Sequence, residues 1–357
     1  MEGLTKLSAP ITVFLNITNQ CNLMCTYCSA NATPSYKDDL TPTELLSLIN
    51  TLSRAKVFRI VVTGGEPFIR GDIFDILKRL SESHVVSINS NGTLINEAIA
   101  QKLSELRIRK IAISLDGSSE EINSRTRGRE SFAKAMQGIK NLLKKDIMPT
   151  IVFTPTKYNY GDLPNVVNLM KSMGLKAIAI NKLLPIGRCE SNYRSLSMLK
   201  DDQVEFIKIL KELKKKRNDV TINEQILHWY TMPERLANIT RNSNKNLVCP
   251  QKLLPCSAAK DQCAVTADGW VIPCNNFCDI KCGNIRNQNF LDIWKNSPKM
   301  NEVRNLANIS LAEIPICSNC KFNVVCAGGC RADAYNFYGD LKAPDPHCPY
   351  HVNRLYS

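Results

Sequence analysis

The sequence predicts an α/β protein: a partial (β/α)6 TIM-like barrel over residues 1–230, a connector over 231–255, and a small Cys-rich domain over 256–357. Three observations predict it. Apolar, β-rich runs alternate with helical patterns, which implies a parallel sheet covered by helices. Six such units are fewer than the eight of a closed barrel, so the barrel is incomplete and curved. The 15 cysteines gather near the two ends of the chain, with three between Cys21 and Cys28 and eleven between Cys249 and Cys348.

The elements follow in order. Strands are read at 11–17, 57–63, 85–90, 110–115, 149–154 and 176–181. Helices are read between them at 42–53, 73–81, 96–106, 132–144 and 163–173, with one more at about 202–216 and a short strand at 220–223. Thr41 and Asn96 suit N-caps, and Gly174 suits a helix stop. The Cys-rich tail is short in regular structure, so bound metal has to supply much of its core.

Composition narrows the class. Of 357 residues 44% are apolar and 22% charged, which suits a folded globular chain and excludes a disordered one. An odd cysteine count rules out complete internal disulfide pairing. No apolar run reaches the ~18 residues of a membrane span. The N-terminus lacks the charge, apolar length and cleavage site of a secretory signal. A cytoplasmic location is therefore expected, and reduced, clustered thiols there point to metal before disulfide. The net charge is +13, from 46 basic and 33 acidic residues. Part of it is local, because Lys214, Lys215, Lys216 and Arg217 end a helical stretch where cations suit the dipole. The charge alone does not make nucleic acid a partner.

Cys21-Asn-Leu-Met-Cys25-Thr-Tyr-Cys28 follows the first strand directly. Three thiolates on one loop at a strand's C-terminal end can hold three irons of a [4Fe–4S] cluster and leave the fourth open. A structural zinc site needs four ligands, and no fourth Cys or His stands nearby in sequence. The run resembles the radical S-adenosylmethionine (radical SAM) superfamily, with Tyr27 in the aromatic slot before the last cysteine. The resemblance implies that SAM chelates the open iron and that Tyr27 packs near the adenine. It also implies that Gly64-Gly65-Glu66-Pro67, after the second strand, binds the SAM amino group, where glycines allow close approach and a carboxylate can accept from an ammonium. Ser90-Asn91-Gly92-Thr93 and Ser114-Leu115-Asp116-Gly117 end the next two strands and match elements that contact the ribose and methionyl part. Relatives often carry His-Asp before Arg-Gly after strand four. Here Asn123 and Ser124 replace that pair while Arg127 keeps the basic position, so no acid–base work is assigned there.

The tail carries Cys256, Cys263, Gly269-x4-Cys274, then Cys317-x2-Cys320-x5-Cys326-x3-Cys330, and Cys348. A four-thiolate site suits zinc and iron–sulfur alike. The whole arrangement resembles the SPASM extension of radical SAM enzymes, which implies two auxiliary [4Fe–4S] clusters and three in all. By that resemblance the first auxiliary cluster takes Cys256, Cys263, Cys274 and Cys330. The second takes Cys317, Cys320, Cys326 and Cys348. Cys189, Cys249, Cys278 and Cys282 are left over, and the four His residues are too scattered to nominate a catalyst.

The resemblance further implies the chemistry. An electron from a flavodoxin- or ferredoxin-type reductant cleaves SAM, and the 5′-deoxyadenosyl radical abstracts hydrogen from a substrate. A ribosomally made peptide is the favoured substrate, with crosslinking, epimerisation or oxidation as the outcome. A haem-precursor decarboxylase, acting on a porphyrin, is the alternative. Sulfatase-maturing relatives carry Asp after the hairpin cysteine, and Asn275 in that place argues against their activity. With a first strand near Ile11 no leader-binding domain fits ahead of the barrel, so a separate leader-binding protein is a candidate partner. A reading from another class is a non-catalytic, metal-binding nucleic-acid module, which would not need ordered SAM motifs at strand ends.

Overall fold

The computed structural model describes residues 6–215, 219–224, 256–320, 322, 326 and 328–348. Seven strands follow the expected alternation: β1 (Thr12–Asn16), β2 (Arg59–Thr63), β3 (Val85–Ser90), β4 (Ile108–Ser114), β5 (Thr150–Phe153), β6 (Ala177–Ile180) and β7 (Thr221–Glu224). They pair in parallel, each with its successor. The tail adds β8 (Gln262–Val265), β9 (Trp270–Ile272) and β10 (Gly283–Asn284). The order is β10-β9-β8-β1-β2-β3-β4-β5-β6-β7, which is linear, so the barrel stays open.

The barrel helices are α1 (Pro42–Arg54), α2 (Ile73–Ser81), α3 (Glu97–Ser104), α4 (Glu120–Arg127), α5 (Ser131–Leu143), α6 (Leu163–Ser172), α7 (Arg188–Leu196) and α8 (Lys200–Lys215). In the tail lie α9 (Phe290–Asn296), α10 (Pro298–Asn305) and α11 (Arg331–Tyr338). Helix α1 shows why the residues choose helix. Thr41 and Glu44 form a capping box, Pro42 takes the first turn, and Leu45, Leu48, Ile49 and Leu52 recur on one buried face. Burying each such side chain contributes about 1.5–3 kcal/mol. Gly174 ends α6 with φ +73°, the left-handed conformation a helix stop needs.

Three features differ from the expectation. Helix α4 was not anticipated, because its buried residues are Asn123, Thr126 and Arg127, which leave no apolar period to read. Helix α7 was not anticipated either. It buries only Cys189 and Leu196. The tail does not pack as a body of its own. β8 pairs in parallel with β1, and Trp294, Met300 and Ala332 share one hydrophobic core with Val13 and Leu15. The expected connector over 231–255 lies outside the described residues. Among the described residues no helix is long and apolar enough to cross a membrane.

Candidate active site

The first cysteine loop leaves β1 at the strand's C-terminal end. Asp39 anchors its start, accepting from the Thr18 hydroxyl and from the Asn19 N–H at 2.9 Å. The Cys21 N–H donates to the Thr33 carbonyl at 3.0 Å and the Cys28 N–H to the Cys25 carbonyl at 3.3 Å, which folds the three cysteines into a compact turn. At the end of β3, the Asn91 amide donates to the Cys21 sulfur at 3.7 Å and to the Asn22 side chain at 2.9 Å. Burial pushes the Cys25 thiol up to about 11 and the Cys21 thiol upward too. Loading metal here therefore releases protons that the metal-free chain holds tightly.

The glycines after β2 dock this loop. The Gly65 N–H donates to the Thr18 carbonyl at 2.7 Å and the Glu66 N–H to the Gln20 carbonyl at 2.8 Å. A Cβ on Gly65 would collide with the Gln20 carbonyl, and one on Gly64 with the Thr18 carbonyl. The Glu66 carboxylate is turned inward and fully buried. It accepts from the Asn91 N–H at 2.7 Å, the Ser90 hydroxyl at 2.9 Å and the Phe68 N–H at 3.3 Å. Both oxygens are thus engaged across the ends of β2 and β3, with three of the roughly four acceptor sites of a carboxylate filled. Burial raises Glu66 to about 7, although the three donors pull the other way. Pro67 opens a buried turn of 3-10 helix.

Tyr27, Asp116 and Arg127 come together although 100 residues separate the first from the last. The Asp116 carboxylate is fully buried and pairs with the Arg127 Nε at 2.5 Å. The Tyr27 hydroxyl donates to Asp116 and accepts from Arg127. The other Asp116 oxygen accepts from the Thr154 N–H at 2.9 Å. Burial works against a charged Arg127, yet Asp116 and Tyr27 hold its pKa above the ordinary value. This cluster ties the cysteine loop to the ends of β4 and β5. Asn123 braces it, accepting from the Asp116 N–H at 2.8 Å and donating to Ser131 at 2.8 Å. Ser114, the last residue of β4, is half-buried beside this cluster.

Sequence reasoning missed Gly187 and Arg188. Arg188 opens α7 and grips the cysteine loop from the far side, donating to the Cys25 carbonyl at 2.9 Å and the Ala32 carbonyl at 2.6 Å. Its own N–H donates to the Cys28 carbonyl at 2.9 Å. Gly187 has φ +60°, and a Cβ there would meet the Cys28 and Ser29 carbonyls. The one signal was a Gly-Arg pair after a strand end.

In the tail, Cys256 and Cys330 add to the burial that pushes Cys274 upward, so these three thiols are neighbours. Cys348 and Cys317 add in the same way to the burial that raises Cys326, and Cys320 to that which raises Cys317. Burial in the main core raises the Cys263 thiol, and Cys282 adds to it. Cys249 lies outside the described residues. Asp345 accepts from the Cys330 N–H at 2.7 Å. Asp333, Asp345 and His347 bring ligand atoms within 4.8 Å of one another, but the Lys182 ammonium already bonds Asp333 and supplies the cation. Burial opposes a charged His347, and the two carboxylates override it and raise it to about 9.

Comparison with known proteins identifies the frame. The model of the radical SAM superfamily matches residues 15–170, and that of an iron–sulfur cluster-binding domain, SPASM, matches residues 256–321. The chain belongs to the radical SAM superfamily. AdoMet-dependent heme synthase of Nitratidesulfovibrio vulgaris is 28% identical over 95% of this chain and 92% of its own length. Mycofactocin maturase MftC of Mycobacterium ulcerans is 27% identical over 96% of this chain and 88% of its own. The solved structure of Streptococcus suis SuiB bound to precursor peptide SuiA has a TM-score of 0.76 at 17% identity, covering 96% of this chain and 76% of that one. Native anSMEcpe with bound AdoMet gives 0.73 at 21%, covering 96% and 94%. These two structures share the fold.

A radical SAM enzyme with a SPASM domain implies SAM and iron–sulfur clusters, and the donor set fits. The soft thiols stand on loops fixed by backbone bonds, with a buried polar shell behind them. A cavity of about 390 Å³ opens where the radical SAM core meets the tail. Asn16 at the end of β1, Asn19 just beyond it, Ile186 before α7, and Asn275 and Cys278 after the tail hairpin line it. The Asn16 amide donates to Asn275 at 3.1 Å, bridging core and tail across the cavity wall.

Proposed function

We propose that this radical SAM/SPASM enzyme modifies a ribosomally made peptide and that it holds three [4Fe–4S] clusters, one binding SAM and two auxiliary. When bound, the cofactor supplies a 5′-deoxyadenosyl radical that abstracts hydrogen from an unactivated C–H. The chain's own residues bind and orient. Cys21, Cys25 and Cys28 hold the SAM cluster. Backbone at Gly64, Gly65 and Pro67, together with Asn91 and Ser114, shapes the SAM site. Glu66, Asp116 and Arg127 keep that backbone rigid, with Tyr27 fixed against the ion pair.

The cavity wall carries the choice of substrate. The described residues lining it include five Asn side chains and the carboxylates of Glu190, Asp268 and Asp279, and they include no Lys, Arg or His. Amides suit a peptide backbone, whose N–H and C=O groups they match. A carboxylate-rich tetrapyrrole would bring like charge against like charge. The likeness to mycofactocin maturase MftC and to SuiB with its precursor peptide supports the same reading. The similarity to AdoMet-dependent heme synthase supports a second reading, decarboxylation of an iron porphyrin. A reductant of the flavodoxin or ferredoxin type and a separate leader-binding protein complete the proposal.

The test uses anaerobically reconstituted protein with dithionite and SAM. Iron near twelve per chain, as three four-iron clusters require, and 5′-deoxyadenosine formation are expected. Precursor peptides encoded beside the gene should acquire a mass change, while iron coproporphyrin should stay unchanged. Loss of carbon dioxide from iron coproporphyrin would replace the peptide reading with the second one.

A further inference from the structure

The cavity between core and tail carries a charge opposite to that of the chain. The protein has a net charge of +13, yet the described residues lining the cavity bring three carboxylates and no cation. The three come from separate elements on both sides. Glu190 stands in the first turn of α7, on the core side. Asp268 sits in the turn between β8 and β9, where one of its oxygens accepts from the Thr266 hydroxyl at 2.5 Å. Asp279 follows the same hairpin. Among the described residues none of the three has an ion-pair partner. Unpaired like charges around one cavity repel one another and focus a negative potential into it. A cation brought in from outside relieves that repulsion.

Two further observations say what kind of cation fits. Asn16 is 9% exposed and forms part of the cavity wall. Its amide nitrogen gives its two protons to the Val265 carbonyl at 3.2 Å and to Asn275 Oδ1 at 3.1 Å. Its oxygen has no donor among the described residues, so a nearly buried acceptor is left for an incoming N–H. The carboxylates, for their part, are spread out. Among the described residues, the one set of acidic, His and Cys ligand atoms drawn within 4.8 Å of one another is Asp333, Asp345 and His347, and none of these lines the cavity. Spread carboxylates do not close around a single metal ion. They suit the several N–H donors of an organic cation.

We propose that the cavity takes a cationic side chain of the peptide substrate, lysine or arginine, with the Asn16 oxygen and the carboxylates of Glu190, Asp268 and Asp279 as its acceptors. This rests on the peptide reading and adds the residue class that the peptide must present. The positive charge of the rest of the chain repels the same side chain, which confines it to the one acidic opening.

Fluorescence anisotropy of labelled nonapeptides on the reconstituted holoenzyme tests it. The peptides are glycine throughout except for a central Lys, Arg, Gln or Glu. The Lys and Arg peptides should bind about tenfold tighter than the Gln peptide, and the Glu peptide should bind weakest. The Glu190→Gln/Asp268→Asn/Asp279→Asn variant should lose that preference. Iron content and electron paramagnetic resonance (EPR) spectra show whether a variant is folded and loaded. Should the triple variant fail there, Glu190→Gln and Asp279→Asn, both at exposed positions, should each weaken the Lys peptide several-fold. Equal affinity for the Lys and Gln peptides, no binding of either, or a preference that the variants leave intact overturns the proposal. Its failure is distinct from failure of the peptide reading. A precursor peptide still modified at the wild-type rate with all its Lys and Arg replaced by Gln overturns the cation and leaves the peptide reading standing. Decarboxylation of iron coproporphyrin with no precursor modified overturns the peptide reading, and this proposal with it.

Discussion

Asp116 carries more of the site than any other single side chain. It binds Arg127, Tyr27 and the Thr154 N–H from a fully buried position. Removing its charge leaves the Arg127 guanidinium buried and unpaired, and breaking such a pair costs about 3–5 kcal/mol. Asp116→Asn should therefore lower the chemical-denaturation midpoint of the purified protein well below the wild type, and an unchanged midpoint would refute the role. Glu66 gives a pH signature. Its carboxyl rises from 4.5 to about 7 on folding. Between those values the folded chain keeps a proton that the unfolded chain releases, so stability falls as pH rises through the window and levels off above about 7. The full span is about 3 kcal/mol. Denaturant titrations at pH 5.5 and 7.5 should show this slope in the wild type and lack it in Glu66→Gln, which cannot ionise. Equal slopes would remove Glu66 as the cause. The sequence showed both carboxylates at strand ends. It did not show that their oxygens are engaged inside the protein, because partners such as Ser90, Thr154 and Tyr27 stand 24, 38 and 89 residues away.

Among elements, the cysteine loop is built by its neighbours. The β2 turn docks it on one side and the start of α7 on the other. Gly65→Ala forces a Cβ onto the Gln20 carbonyl, so reconstituted protein should lose about four irons, those of the first cluster. Full iron in that variant would show that the turn yields. Arg188→Ala removes side-chain bonds to two loop carbonyls. It should raise the KM for SAM several-fold and leave the EPR signals of the auxiliary clusters unchanged, and an unaltered KM would exclude the clamp. The β2 turn was legible because glycines have few reasons to be paired. The clamp was not, because α7 buries too few apolar residues to announce a helix.

For the whole molecule, the sheet is continuous from tail to barrel. β8 covers the edge of β1, and Lys182 after β6 bonds Asp333 on α11. A chain cut at residue 255 would bare the β1 edge and the core beneath α9 and α10, which invites aggregation. Such a fragment should be insoluble or polydisperse on size-exclusion chromatography, and a monodisperse fragment would restore the tail as an independent unit.

Local rules were enough for much of this protein. The alternation of strand and helix, the spacing of the cysteines, and the glycine turn at a strand end are short-range patterns, and each states its own chemistry. Where the carboxylates turn and that the tail completes the barrel's sheet are long-range pairings. Tertiary packing decided them, because the partners meet only once the strands pair: β8 along β1, and Tyr27 against Asp116 across 89 residues.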